Sequence, residues 1–419
     1  MATRKPAVPA EGPVSELLEK VLPGKSKRAR ILRDQILAFC CDFSAKTVLL
    51  RGPIGAGKST VARAIGFVRR VAPLSLEPAK RLIGDVRYDG LGKIDFTLMT
   101  WYVELALTGL SDTLAESQLF GVGKKVATGV DEKPGIFELA RIGRAGGGDA
   151  GAALTGGIVF LDEVGDFPAA LQGKLLPVLS GGVFYRTGGE GDTKYEQTFG
   201  GVTISATWKN LDADKFRGDL LSRITQHVIE VPGLGERQED LAVIVTQMEE
   251  DILARHRAEI ERVCGADGEV DRGFWRDLAD ALRPLTREEK KAVLEVDWAR
   301  YGNMRGLTYA LERILLQGGD AREVVATLEP ISSAHASASG GARGLLAALL
   351  ARRPGPGGLA KHVRGIEVEQ RRALRALLQG DSAARAALVD ALKLQKAKLV
   401  HQLQQLDRSR RQTRGRRRK

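Results

Sequence analysis

Three short stretches of the chain carry residues whose types and spacing could do chemistry. The first, Gly52-Pro53-Ile54-Gly55-Ala56-Gly57-Lys58-Ser59-Thr60, fits the pattern GxxxxGK[ST]. Its glycines let backbone N–H groups wrap a phosphate, Lys58 supplies a cation for the β- and γ-phosphates, and the Ser59 hydroxyl is a ligand for Mg²⁺. The second is the acidic pair Asp162-Glu163 within "GGIVFLDEVGD". Asp162 suits holding the magnesium, directly or through water. Glu163 suits polarising the attacking water, which a phosphate loop alone does not do. The third, "FRGDLLSRI", holds Arg217 and Arg223, six residues apart and therefore on different sides of a helix. In oligomeric P-loop ATPases such arginines reach a neighbour's γ-phosphate; surface ion pairs are the competing reading. Taken together, these residues imply binding and hydrolysis of ATP with Mg²⁺.

Each stretch needs an element to aim it. "TVLL" reads as a strand running into the glycine loop and "VARAIGFV" as a helix leaving it, the context in which the pattern has a mechanism. "GIVFL", "GVTISAT" and "HVIEV" are further β-rich runs, alternating with helical stretches, which predicts a parallel sheet covered by helices. After Pro232 the apolar residues recur at helical spacing, as in "RQEDLAVIVTQMEEDILARHRAEIERV" and "GLTYALERILLQG", so a helical subdomain follows. "SSAHASASGGARG" and "RRPGPGG" have linker composition. Beyond them, "VEQRRALRALLQGDSAARAALVDALKLQKAKLVHQLQQL" reads as a small helical module.

Composition bounds the remaining possibilities. The 419 residues suffice for two or three domains. No stretch approaches the roughly 20 consecutive apolar residues of a membrane span, and "MATRKPAVPAEGP" lacks the apolar run of a secretory signal, so a cytoplasmic protein with no membrane partner is expected. Cys40, Cys41 and Cys264 are too few and too poorly spaced for a disulfide framework or zinc site. Of the net charge of +12, eight positive charges fall in residues 408–419, "RSRRQTRGRRRK", leaving +4 for the rest. Such a tail suits a phosphate-seeking arm for nucleic acid.

"ESQLFG", "GIFELA", "GGIVFLDEVGDFPAALQGKLLPVLSGGVFYRTGG", "FRGDLLSRI" and "GERQEDL" resemble, in order and spacing, the AAA+ domain of sigma-54-dependent transcriptional activators, the bacterial enhancer-binding proteins. "DWARYGNMRGLTYALERIL" resembles the family's WPGNVREL segment, which makes Arg305 the second nucleotide sensor by that resemblance. The match covers about residues 26–318. The helical module resembles a Fis-type helix-turn-helix, with Lys393 at the usual turn glycine. The resemblance implies an α/β fold: a P-loop AAA+ parallel sheet with a helical lid, followed by a small all-α helix-turn-helix domain. The expected organisation is a flexible N-terminus at 1–25, an ATPase subdomain at 26–236, a lid at 237–319, a linker at 320–360, the helix-turn-helix at 361–406 and a basic tail at 407–419.

The same resemblance gives a role to "KKVATGV", an exposed glycine-containing loop that takes the place of the family's GAFTGA loop, the element that touches sigma-54. Val126, Ala127, Thr128 and Gly129 are the expected partner contact, with Ala127 where the family carries Phe. Trp208 stands where the first sensor has Asn, the family's asparagine switch has no clear counterpart before "ESQLFG", and about 25 residues around 256–284 are inserted in the lid. The implied protein assembles into a ring, a hexamer, remodels sigma-54 RNA polymerase, and binds duplex DNA through Lys396, Lys398, His401 and Gln402 on its last helix. The alternative drawn from Ala127 and Trp208 is a sigma-54-independent AAA+ regulator, or a remodelling ATPase acting on another partner.

Overall fold

The computed structural model describes residues 12–71, 80–81, 83–84, 94, 99, 101–123, 132–142, 156–189, 196–211, 214–264, 282–317, 321–328 and 330. Val126, Ala127, Thr128, Gly129, Lys396, Lys398, His401 and Gln402 lie outside them, as do the helix-turn-helix and the basic tail.

The scaffold is a five-stranded parallel sheet. In chain order its strands are β1 (Thr47–Arg51), β2 (Tyr102–Ala106), β5 (Ile158–Asp162), β8 (Val202–Thr207) and β9 (Val228–Glu230), and their spatial order is β2-β5-β8-β1-β9. Successive side chains of a strand point to opposite faces, and here both faces are covered, which is why β1 and β5 read as nearly unbroken apolar runs. Val48 and Leu50 of β1, with Ile158 and Phe160 of β5, pack on one side. Leu49, Val159 and Leu161 pack on the other.

On the first face lie α1 (Pro13–Val21), α2 (Lys27–Cys41) and α3 (Lys58–Val71). Ser26 starts α2 by accepting a hydrogen bond from the Ala29 N–H at 3.0 Å. The expectation of a flexible terminus at 1–25 is corrected for its described part, residues 12–25. Leu17, Leu18 and Val21 fall on one helical face and are buried against the core, and full burial of such side chains is worth about 1.5–3 kcal/mol each.

On the second face lie α4 (Asp112–Phe120), α5 (Ile136–Ile142), α6 (Ala169–Gly181) and α7 (Gly218–Ile224). Two small antiparallel ribbons project from this side. One joins β3 (Gly121–Val122) to β4 (Lys133–Pro134), the other β6 (Val183–Tyr185) to β7 (Glu196–Thr198). They are stitched together by the exchange of Gly123 N–H and Thr187 C=O at 3.1 Å and of Thr187 N–H and Gly121 C=O at 3.0 Å. Arg186 reinforces the join, pairing with Glu138 at 2.7 Å and with Glu132. The "KKVATGV" segment therefore leaves from a braced base.

The lid has its own core around Leu234, Ile252, Val293, Trp298, Leu307 and Leu311. Its helices are α8 (Leu241–Cys264), α9 (Arg287–Leu294), α10 (Asn303–Gln317) and α11 (Ala321–Ala326). Ala321 and Val324 of α11 are buried in that core, so the lid runs past the expected boundary at 319 into the stretch assigned to linker. Among the described residues, no helix is long and apolar enough to cross a membrane.

Candidate nucleotide site

The glycine loop connects the end of β1 to the start of α3, so the helix N-terminus and its free N–H groups open onto the loop. The loop is tightly enclosed. Gly55 and Gly57 have φ of 71° and 99°, a region that favours glycine. A Cβ at Gly52 would stand 2.2 Å from the Val231 carbonyl oxygen, and one at Gly55 would stand 2.0 Å from that of Gly302. Lys58, only 6% exposed, donates from Nζ to the carbonyls of Gly52 at 3.1 Å and Pro53 at 3.2 Å. Burial pushes its ammonium pKa down, against the opposing pull of Glu163 and Asp162.

The acidic pair arrives from the neighbouring part of the sheet. β5 pairs with β8 and β8 with β1, all parallel, so Asp162, Thr207 and Arg51 end their strands on the same edge, the usual place for a ligand in an α/β sheet. Burial raises the carboxyl pKa of Asp162, opposed by Lys58 and by the Glu163 N–H, which donates to its Oδ1 at 3.0 Å. Burial likewise raises that of Glu163; Asp162 and Asp166 add to the rise, while Lys58 and Lys209 oppose it. Glu163 has φ 56° and ψ 48°, a left-handed conformation uncommon for a non-glycine residue, and its Oε2 is buried without a hydrogen-bond partner.

The lid closes the third side. Asn303 sits at φ 54°; its Oδ1 accepts from the Leu234 N–H at 2.8 Å, and its Nδ2 donates to the Ile54 carbonyl at 2.9 Å. The Met304 N–H donates to the Gly55 carbonyl at 3.0 Å. Arg305, exposed on the next position, has its Cβ against the Gly55 backbone, and its charge reaches Lys58 and Asp162.

The structure thus brings Gly52 to Thr60, Asp162, Glu163 and Arg305 to one place. Among the described contacts, none links Arg217 or Arg223 to it. Arg217 precedes α7 and is ion-paired with Asp219 at 2.8 Å on the surface; Arg223 is exposed in the last turn of α7. Trp208 is half-buried just beyond β8, with the Lys209 ammonium 5.5 Å from its ring centroid. Asn303 and Lys209 were not singled out by the sequence. The only signal for Asn303 was its position two residues before Arg305.

The residues fit a nucleoside triphosphate with Mg²⁺ on three counts. The cradle excludes side chains from two of its glycines, a helix N-terminus and a lysine supply positive potential, and a buried carboxylate oxygen of Glu163 has no hydrogen-bond partner among the described residues. Such a loop, followed by a parallel sheet and a helical lid docked on it, defines a P-loop ATPase domain of the AAA+ type.

Residues 100–230 match the family model of the sigma-54 interaction domain. The chain is 31% identical over 271 residues to the Nif-specific regulatory protein of Herbaspirillum seropedicae, an alignment spanning 64% of this chain and 38% of that protein. It is 30% identical over 269 residues to the DNA-binding transcriptional regulator NtrC of Klebsiella pneumoniae, spanning 63% of this chain and 43% of that one. The match therefore spans about two-fifths of these relatives' length. NtrX from Brucella abortus, solved in complex with ATP, superposes with a TM-score of 0.48 at 22% identity over 91% of this chain and 71% of that chain. Residues 100–230 are thus similar to the sigma-54 interaction domain, in a chain whose curated relatives include transcriptional regulators.

Proposed function

We propose that this protein hydrolyses ATP and couples the reaction to remodelling of sigma-54 RNA polymerase. The observation that carries the first half is the convergence of Lys58, Asp162, Glu163 and Arg305 on one strand edge, with Glu163 holding an unpartnered oxygen. Ser59 and Asp162 would hold Mg²⁺, which supplies charge neutralisation for the phosphates. Lys58 exchanges its loop carbonyls for phosphate oxygens. Glu163 takes the proton from the attacking water; its raised pKa makes it a better base once it is ionised, and burial excludes competing solvent.

Arg217 and Arg223, both exposed and without a described contact to the chain's own site, are assigned to the site of a neighbouring subunit in a ring, a hexamer. Breaking the weak surface pair of Arg217 with Asp219 costs little, so that guanidinium is available to a neighbour's γ-phosphate. The Val126–Gly129 loop is assigned to sigma-54. The stretch 361–406, with Lys396, Lys398, His401 and Gln402, is assigned with the basic tail to duplex DNA. The match of residues 100–230 to the sigma-54 interaction domain supports the sigma-54 assignment; the absence of an aromatic at Ala127 favours the second reading, a different protein partner.

The test separates binding from turnover. Lys58→Ala should lose affinity for a fluorescent ATP analogue. Glu163→Gln should keep that affinity and lose hydrolysis by roughly 10²-fold or more, the scale of a positioned general base. Equal turnover in the wild type and Glu163→Gln would reject the assignment of Glu163.

A further inference from the structure

Glu163 must be held in an uncommon backbone conformation, and the groups that hold it are visible. The turn Glu163–Asp166 closes through the Asp166 N–H donating to the Glu163 carbonyl at 2.9 Å. The side chain of Asp166 is gripped from two other elements. The Lys209 ammonium pairs with its Oδ1, and the Thr108 hydroxyl lies 3.4 Å from its Oδ2. Lys209 is fixed in turn, since its N–H donates to the Thr207 Oγ1 at 3.0 Å. Its side chain lies over Gly165, where a Cβ would come within 3.3 Å of the Lys209 Cβ and Cδ. Thr108 follows β2 and leads into α4, the helix before the ribbon that carries "KKVATGV".

We propose that Lys209, acting through Asp166, is a positioning residue for hydrolysis: the pair clamps the turn that aims the Glu163 carboxylate, and Thr108 ties that turn to the segment leading into α4. Neither side chain touches the glycine loop in any described contact, so the clamp governs turnover and not nucleotide affinity. A left-handed non-glycine residue is strained and persists only where its surroundings over-determine it. Asp166 and Lys209 are what over-determine this one. The proposal rests on the reading of Glu163 as the base.

The experiment uses the full chain with ATP and Mg²⁺, measuring kcat and KM for ATP together with affinity for a fluorescent ADP. Lys209→Met should lower kcat roughly 10- to 100-fold, the scale of a small misplacement of a catalytic group, with KM and ADP affinity within about twofold of wild type. Lys209→Arg should retain most of kcat. The exchange Asp166→Lys with Lys209→Asp should recover most of what either single substitution loses, which a purely structural lysine would not show. Wild-type kcat in Lys209→Met overturns the proposal. So does an exchange no better than its single variants, or a loss of ADP affinity in step with kcat. If Lys209→Met does not fold, Lys209→Arg and the exchange decide. If the wild type hydrolyses ATP and Glu163→Gln does not, while Lys209→Met is unimpaired, only the clamp fails; if the wild type hydrolyses none, the reading of the site fails with it.

Discussion

Asn303 joins the lid to the glycine loop by one side chain used in both directions, accepting from Leu234 and donating to Ile54 across 249 residues of sequence. Its backbone is also left-handed, which asparagine tolerates better than most residues. Asn303→Ala removes both hydrogen bonds and should cost about 1–3 kcal/mol of stability, with a weaker rise in melting temperature on adding ADP. An unchanged ADP-induced shift would show that the lid does not depend on this residue to meet the nucleotide site. Asn303 falls within the segment that resembles WPGNVREL, whereas Lys209 was invisible in the sequence for a physical reason. A phosphate loop and an acidic pair are local patterns, since their residues are chain neighbours. A lysine that matters because its ammonium reaches an aspartate 43 residues away leaves no local trace.

At the scale of elements, legibility followed burial. β1 and β5 lie inside the sheet with apolar contacts on both faces, so each is a nearly continuous apolar run, whereas the equally buried β8 alternates Val202, Ile204 and Ala206 with Thr203, Ser205 and Thr207. β2 sits at the edge and carries Glu104, ion-paired with Arg63 of α3 at 3.0 Å, and that polar residue broke the run in "WYVELALTG". α1 was passed over because the charged and proline-containing composition of residues 1–25 outweighed the short apolar stripe of Leu17, Leu18 and Val21.

The lid offers a test at this scale. Thr286 and Glu289 form a reciprocal cap at the start of α9, and Arg283 pairs with Glu289 at 2.8 Å. The Arg283 guanidinium holds the Glu289 pKa down to about 2, with the Thr286 hydrogen bonds helping. A depressed carboxyl pKa contributes stability that is complete above its unfolded value near 4.5 and is lost as pH falls toward 2. Thr286→Ala should cost about 1 kcal/mol in denaturant unfolding. Glu289→Gln should flatten the decline in stability between those two pH values, and a decline as steep as the wild type's would place its origin in other carboxylates.

For the whole molecule, the proposed ring makes the site depend on a neighbour, because Arg217 and Arg223 are exposed and make no contact with the glycine loop among the described contacts. Specific ATPase activity should therefore rise steeply with protein concentration. Inactive Arg217→Ala protein mixed with inactive Lys58→Ala protein should regain partial activity, since interfaces that pair an intact loop with an intact arginine form in the mixture. Concentration-independent activity from a monomer would contradict the ring. Arg223→Ala tested in the same way identifies which arginine reaches across.

Whether this ATPase acts on sigma-54 is decided by retention of purified sigma-54. The wild-type chain is incubated with ADP and aluminium fluoride, with ADP alone and without nucleotide, and Ala127→Phe and Thr128→Ala proteins are run beside it. Sigma-54 should be retained in the transition-state mimic and released in the other two states. Retention by Ala127→Phe should be stronger, because a phenylalanine there restores an aromatic able to bury about 150–250 Å². Failure of all three proteins to retain sigma-54 in any nucleotide state, while each hydrolyses ATP, would contradict action on sigma-54 and assign the loop to another partner.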